Sequence, residues 1–154
     1  MEIADLITPQ RVIPHLRATG KKQLLQELAK RAAAITSIPE RTICDVLVER
    51  ERAGTTGIGM GIAIPHGKLA ELDRFCGMFA RLDRAIPFDA IDDQPVDLLF
   101  LLLAPESSGA EHLKALARVS RLLRDRTICA KLRGTDKAEA LYALLTDFTA
   151  TDAV

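Results

Sequence analysis

Tryptophan is absent from this 154-residue chain, tyrosine occurs once and phenylalanine five times. Its 48 % apolar content is therefore mostly aliphatic, yet ample for a packed core, which excludes a disordered chain. Charge of one sign is also lacking: 21 Lys and Arg balance 21 Asp and Glu, and no basic tail is present. That excludes a nucleic-acid binder held by bulk charge. No apolar run approaches the roughly 18 residues of a membrane span. The opening MEIADLITPQ carries acids early and lacks the basic-then-apolar order of a signal peptide. Three widely spaced cysteines, Cys44, Cys76 and Cys129, form no CxxC pair and read as reduced thiols of a cytoplasmic protein. Repeats, low-complexity stretches and linkers are missing, and the length suits one domain.

What is present is helical periodicity around short apolar strands. Residues 1–20 read as irregular with short ordered pieces. Lys21 to Ile35 has a stripe of Leu24, Leu25, Leu28, Ala32 and Ile35 at helical spacing. A second helix is expected from Ser37, with Glu40 completing a capping box and Pro39 in the first turn. Ile43, Val46 and Leu47 form its inner face, and Gly54 ends it. Arg50 follows Ile43 by seven positions and Val46 by four, so it shares that face. It either snorkels outwards or lies beside an anion.

Residues 55–61 read as a loop, and Ile62 to Ile64 as a short strand stopped by Pro65. Arg74 to Leu82 is a second strand candidate. Asp97 to Leu103 (DLLFLLL) lacks alternation, as expected of a central strand covered on both faces. Residues 105–109 read as a loop. Helices follow over Glu111 to Arg124, with Leu113, Leu116, Ala117 and Leu123 inward, then about Ile128 to Leu132 and Lys137 to Phe148. Asp136 and Glu139 are placed to cap the last. The expected fold is α/β: one compact domain, a mixed sheet flanked by helices.

Three glycines, Gly57, Gly59 and Gly61, precede IAIPHGK and invite a nucleotide-site reading. The dinucleotide fingerprint needs GxGxxG opening a helix; here the spacing is GxGxG and a strand-like run follows. A Walker loop needs a Ser or Thr after GK, where this chain has Leu69. The three histidines, His15, His66 and His112, show no short metal-ligand spacing, and no metal or cofactor is expected.

His66 is delivered by Pro65, which restricts its own φ and biases Ile64 towards an extended shape. Neutral imidazole is a nucleophile near physiological pH and can hold a phosphoryl group as a phosphoramidate. The alternative is a loop histidine bonded to a strand carbonyl. His112 opens a predicted helix, where free N–H groups attract anions, or it is a boundary histidine. His15 reads as structural or at the surface. A phosphohistidine site needs one nucleophile and donors for three phosphoryl oxygens, and Arg50 and His112 are candidate donors. Protein-to-protein transfer would add an apolar docking surface around the imidazole, to which Met60, Ile62 and Ile64 are candidates.

RERAGTTGIGMGIAIPHGKL (residues 50–69) and AEHLKALARVSRLL (residues 110–123) resemble the IIA domains of the fructose and mannitol class in the bacterial phosphotransferase system. IADLITPQRVIPHLRATGKKQLLQELA (residues 3–29) has the look of the family's stand-alone nitrogen-regulatory branch. The likeness spans about residues 1–150. It implies a mixed sheet of about five strands and a protein-histidine phosphotransferase component. It also implies His66 as acceptor from an HPr-type phosphocarrier, His112 as assisting histidine and Arg50 as phosphate-stabilising arginine. Regulatory members control nitrogen- and potassium-linked responses by binding target proteins according to phosphorylation state. Neither nucleic acid nor membrane insertion is implied. A sugar-specific IIA component passing phosphate to a IIB protein is the second reading, and a non-catalytic interaction module the third. One departure stands out: regulatory members typically read GIGNGIAIPHG, and Met60 replaces that asparagine, with loop order or the phosphate surroundings at stake.

Overall fold

The computed structural model describes residues 1–147. Its elements, in chain order, are β1 (Val12–Leu16), α1 (Lys21–Thr36), α2 (Glu40–Arg52), β2 (Gly57–Gly59), β3 (Ile62–Ala63), β4 (His66–Leu69), β5 (Cys76–Ile86), β6 (Val96–Pro105), α3 (Ala110–Arg124), α4 (Arg126–Arg133) and α5 (Ala138–Thr146). The sheet order is β1-β5-β6-β3-β2. β4 also pairs with β6, beyond β3 on the same edge, so six strands make a sheet five strands wide. β1 runs parallel to β5, β5 antiparallel to β6, β3 and β4 parallel to β6, and β2 antiparallel to β3.

β6 is central, and the missing alternation in DLLFLLL has a direct cause. Leu99, Leu101 and Leu103 face the core under α1 and α2, while Leu98, Phe100 and Leu102 face the core under α3, α4 and α5. All six are 0 % exposed. Each such side chain contributes roughly 1.5–3 kcal/mol by leaving water. The mixed α/β sandwich expected from the sequence is therefore present.

Several local expectations are corrected. Residues 1–20, expected to be irregular with short ordered pieces, contribute a strand to the sheet: β1 is an edge strand whose Pro14 removes no needed donor. Ser37 does not cap α2; at φ 63° it ends α1, its N–H donating to the Ala33 carbonyl at 2.9 Å, and Pro39 takes the N-cap of α2. The short connection leaves Ser37 to serve the helix behind it. Asp136 does not cap α5 either: Lys137 is the N-cap, and Asp136 lies 3.4 Å from His15 Nε2. Ile35, Leu113 and Ala117 turn outwards, because each helix packs on a sheet through a narrower stripe than the sequence suggests. Gly57 to Gly59 forms β2 rather than loop. α5 is described to Thr146, and the expected end at Phe148 lies outside the described residues.

Candidate active site

β3 and β4 are one strand broken at Ile64 and Pro65. Pro65 has no N–H to donate, while its carbonyl accepts the Leu102 N–H at 3.0 Å and keeps β4 in register with β6. His66 is thus the first residue of a strand, paired with Leu102, rather than a loop residue. The break frees the Ile64 carbonyl, which accepts from His66 Nδ1 at 2.8 Å. The imidazole therefore carries its proton on Nδ1 and its lone pair on Nε2.

Arg50 meets that lone pair. From the last turn of α2 its Nε–H donates to His66 Nε2 at 3.1 Å, while Nη1 donates to the Gly54 carbonyl at 2.7 Å. The second bond satisfies a carbonyl at the helix C-terminus and fixes the guanidinium plane. Close approach of α2 to β4 depends on Gly67, the residue after His66. A methyl there would land inside the van der Waals shell of Val46 Cγ1, so the missing side chain lets the helix settle against the strand.

His112 arrives from the first turn of α3, with ring centroids 5.6 Å apart and planes tilted by 51° from His66. It is only 6 % exposed, and its Nδ1 is buried without a hydrogen-bond partner among the described residues. Burial lowers the pKa of His66, aided by Arg50 and opposed by the Ile64 bond. Burial also lowers that of His112, with the charges of His66 and Lys68 acting in the same direction. Both rings are consequently neutral at physiological pH. The groove around them, about 750 Å³, is lined by Val46, Glu49, Arg50, His66, Lys68 and His112.

The structure thus brings together the three residues singled out in the sequence, and leaves His15 elsewhere, half exposed and 2.7 Å from Asp83. Met60 is not in the groove. It forms the turn between β2 and β3 at φ 59°, its N–H donating to Asp92 at 2.9 Å and its carbonyl accepting from Arg133 at 2.8 Å. Asp97 holds Arg133 through two bonds of 2.9 Å. Gly61, at φ 82°, is needed beside this clamp, since a Cβ would meet Arg133 Nη2 at 2.6 Å. Ile62 and Ile64, candidates for a docking surface, are core residues at 0 % and 5 % exposure. Among the described residues, no three His, Cys, Asp or Glu side chains converge as a metal site, and no helix is long and apolar enough to cross a membrane.

Known proteins are similar to this chain over nearly its whole length. A "Nitrogen regulatory protein" of Bradyrhizobium diazoefficiens is 56 % identical over 94 % of this chain and 95 % of its own. A protein of the same description from Escherichia coli is 40 % identical over 98 % and 93 %. A fructose-specific EIIA component of Haloferax volcanii is more distant, at 34 % identity over 96 % and 98 %. The crystal structure of nitrogen regulatory protein IIA-Ntr from Neisseria meningitidis superposes with a TM-score of 0.89 at 32 % identity, over 94 % of this chain and 99 % of that one. The family described as "Phosphoenolpyruvate-dependent sugar phosphotransferase system, EIIA 2" matches residues 5–148, and the chain belongs to that family, among relatives that are nitrogen regulatory proteins.

Proposed function

We propose that this protein is a phosphohistidine carrier of the regulatory IIA type. His66 takes a phosphoryl group from the phosphohistidine of an HPr-type carrier, and the phosphorylation state selects the target proteins that are bound. One observation carries the chemical part: Ile64 holds the proton on Nδ1, so Nε2 is the nucleophilic nitrogen, and it opens towards Arg50.

In the transfer, the Nε2 lone pair forms a bond to phosphorus while the donor's P–N bond breaks and its imidazole keeps that electron pair. No proton has to move, because His66 retains the one on Nδ1. Charge spreads over the three equatorial oxygens, and fixed donors stabilise it. Arg50 exchanges its bond to Nε2 for one to a phosphoryl oxygen. The unpartnered His112 Nδ1 is available to bond another when it carries a proton. The regulatory role is supported by likeness to proteins named for nitrogen regulation, which exceeds the likeness to the fructose-specific relative.

The test is incubation with a phosphorylated HPr-type donor. An acid-labile phosphoryl group is expected on the wild type and absent from His66→Ala. A label of equal yield on that variant would refute the assignment.

A further inference from the structure

A buried charge beside the site is not used by the transfer itself. Glu51 follows Arg50 in the last turn of α2, and its side chain is 6 % exposed. It continues the i, i+4 row of Ile43 and Leu47, which are 0 % and 1 % exposed. A carboxylate in such a row must be paired and hydrogen-bonded. Lys21 Nζ lies 2.9 Å from Oε1, and the same ammonium sits 4.6 Å over the ring of Phe88. Thr56 supplies two further donors: its N–H to Oε1 at 3.0 Å and its hydroxyl to Oε2.

Those bonds orient a residue that is itself 4 % exposed. The Thr56 carbonyl then accepts the Ile64 N–H at 3.0 Å, and the Ile64 carbonyl accepts the His66 Nδ1–H at 2.8 Å. One continuous path leads from Lys21 through Glu51, Thr56 and Ile64 to the imidazole. A buried ion pair is a weak source of stability, because apolar replacements of similar volume are often neutral or stabilising. What this pair provides is direction.

We infer that Glu51, with Thr56, is a positioning residue that aims the Ile64 carbonyl and thereby fixes His66 as the Nδ1–H tautomer, leaving Nε2 towards Arg50. The inference rests on the reading of His66 as phosphoryl acceptor. Without this anchor the segment between α2 and β3 is held less firmly, and the imidazole is free to exchange tautomers.

The experiment is nitrogen NMR of histidine-labelled protein at pH 8, paired with the rate of phosphoryl acceptance, for wild type, Glu51→Ala, Glu51→Gln and Thr56→Val. The wild type should show one dominant Nδ1–H form for His66. Glu51→Ala and Thr56→Val should move the His66 nitrogen shifts towards a tautomer average and slow acceptance roughly tenfold, the scale of one lost hydrogen bond. Glu51→Gln keeps an acceptor oxygen and should lie between. Thr56→Val keeps the backbone N–H and the side-chain volume, so it carries the test if Glu51→Ala does not fold. Unchanged His66 shifts in a folded Thr56→Val protein, or shifted signals with an unchanged rate, would overturn the inference. The tautomer readout needs no phosphorylation, so it stays separate from the His66→Ala labelling result.

Discussion

The Nε–H of Arg50 points at Nε2 of His66 across 3.1 Å, so in the proposed transfer the attacking nitrogen is already bonded to the group that would receive the phosphoryl charge. Two jobs fall to one guanidinium at different moments. Its second anchor, Nη1 on the Gly54 carbonyl, keeps it in place for both. Arg50→Ala should slow phosphoryl acceptance about 10²-fold, the usual cost of one charge-stabilising donor. Arg50→Lys should recover little of that, since one ammonium cannot span both partners with a planar fork. Rapid-quench transfer rates measure both effects, and a Lys variant as fast as wild type would show that positive charge alone suffices.

Acid should weaken the fold as His66 and His112 are forced to bind protons. The pKa values of His66 and His112 lie below the usual histidine value of about 6.5, chiefly because both rings are buried. Below that pH the unfolded chain binds more protons than the native one, so stability falls with pH. The histidine contribution is at its full value above about pH 6.5 and is lost as pH drops through the lowered native values. Asp83, held low mainly by its bond from His15, acts in a separate and more acidic window. Urea midpoints between pH 8 and 5 should fall for wild type, and fall less for a His112→Gln variant. Parallel curves would contradict the role given to His112 burial.

Gly67 should behave as a spacer rather than a hinge. Gly67→Ala pushes a methyl into Val46, an overpacking that costs about 1–3 kcal/mol and drives α2 away from β4. Both stability and phosphoryl acceptance should drop. Adding Val46→Ala should restore much of each, because the space is returned from the other side. Denaturant midpoints and transfer rates of the two proteins check this, and a double variant no better than the single one would count against it.

Met60 should be a stability position. A side chain with φ near 59° in the left-handed region carries a strain of roughly 1–2 kcal/mol, which asparagine tolerates better. Met60→Asn should raise stability by up to about 1 kcal/mol, visible as a few degrees in Tm. The transfer rate should hardly change, since Met60 lines a pocket with Ile62 and Arg133 and not the groove at His66. A large rate change with unaltered Tm would mean that the loop couples to the site.

The core strand and both long helices could be read because their signals are local: an unalternating apolar run and stripes at helical spacing. His66 drew notice through Pro65, and Arg50 through its place on an apolar helix face. β1 and β2 were hidden because short strands hold through their neighbours, with Pro14 and the glycines masking them. The capping expectations at Ser37 and Asp136 failed because each side chain or backbone was engaged by an adjacent element. Glu51 did carry a signal, the row it shares with Ile43 and Leu47. Its partners Thr56 and Lys21, and the contact between Gly67 and Val46, arise only when the chain folds back on itself.

The most direct measurement is the identity of the phosphorylated nitrogen, read by phosphorus–nitrogen NMR on protein charged by a phosphorylated HPr-type donor. The geometry predicts a single phosphoryl group on His66 Nε2, with Nδ1 still protonated. A phosphoryl group on Nδ1, or on His112, would contradict it.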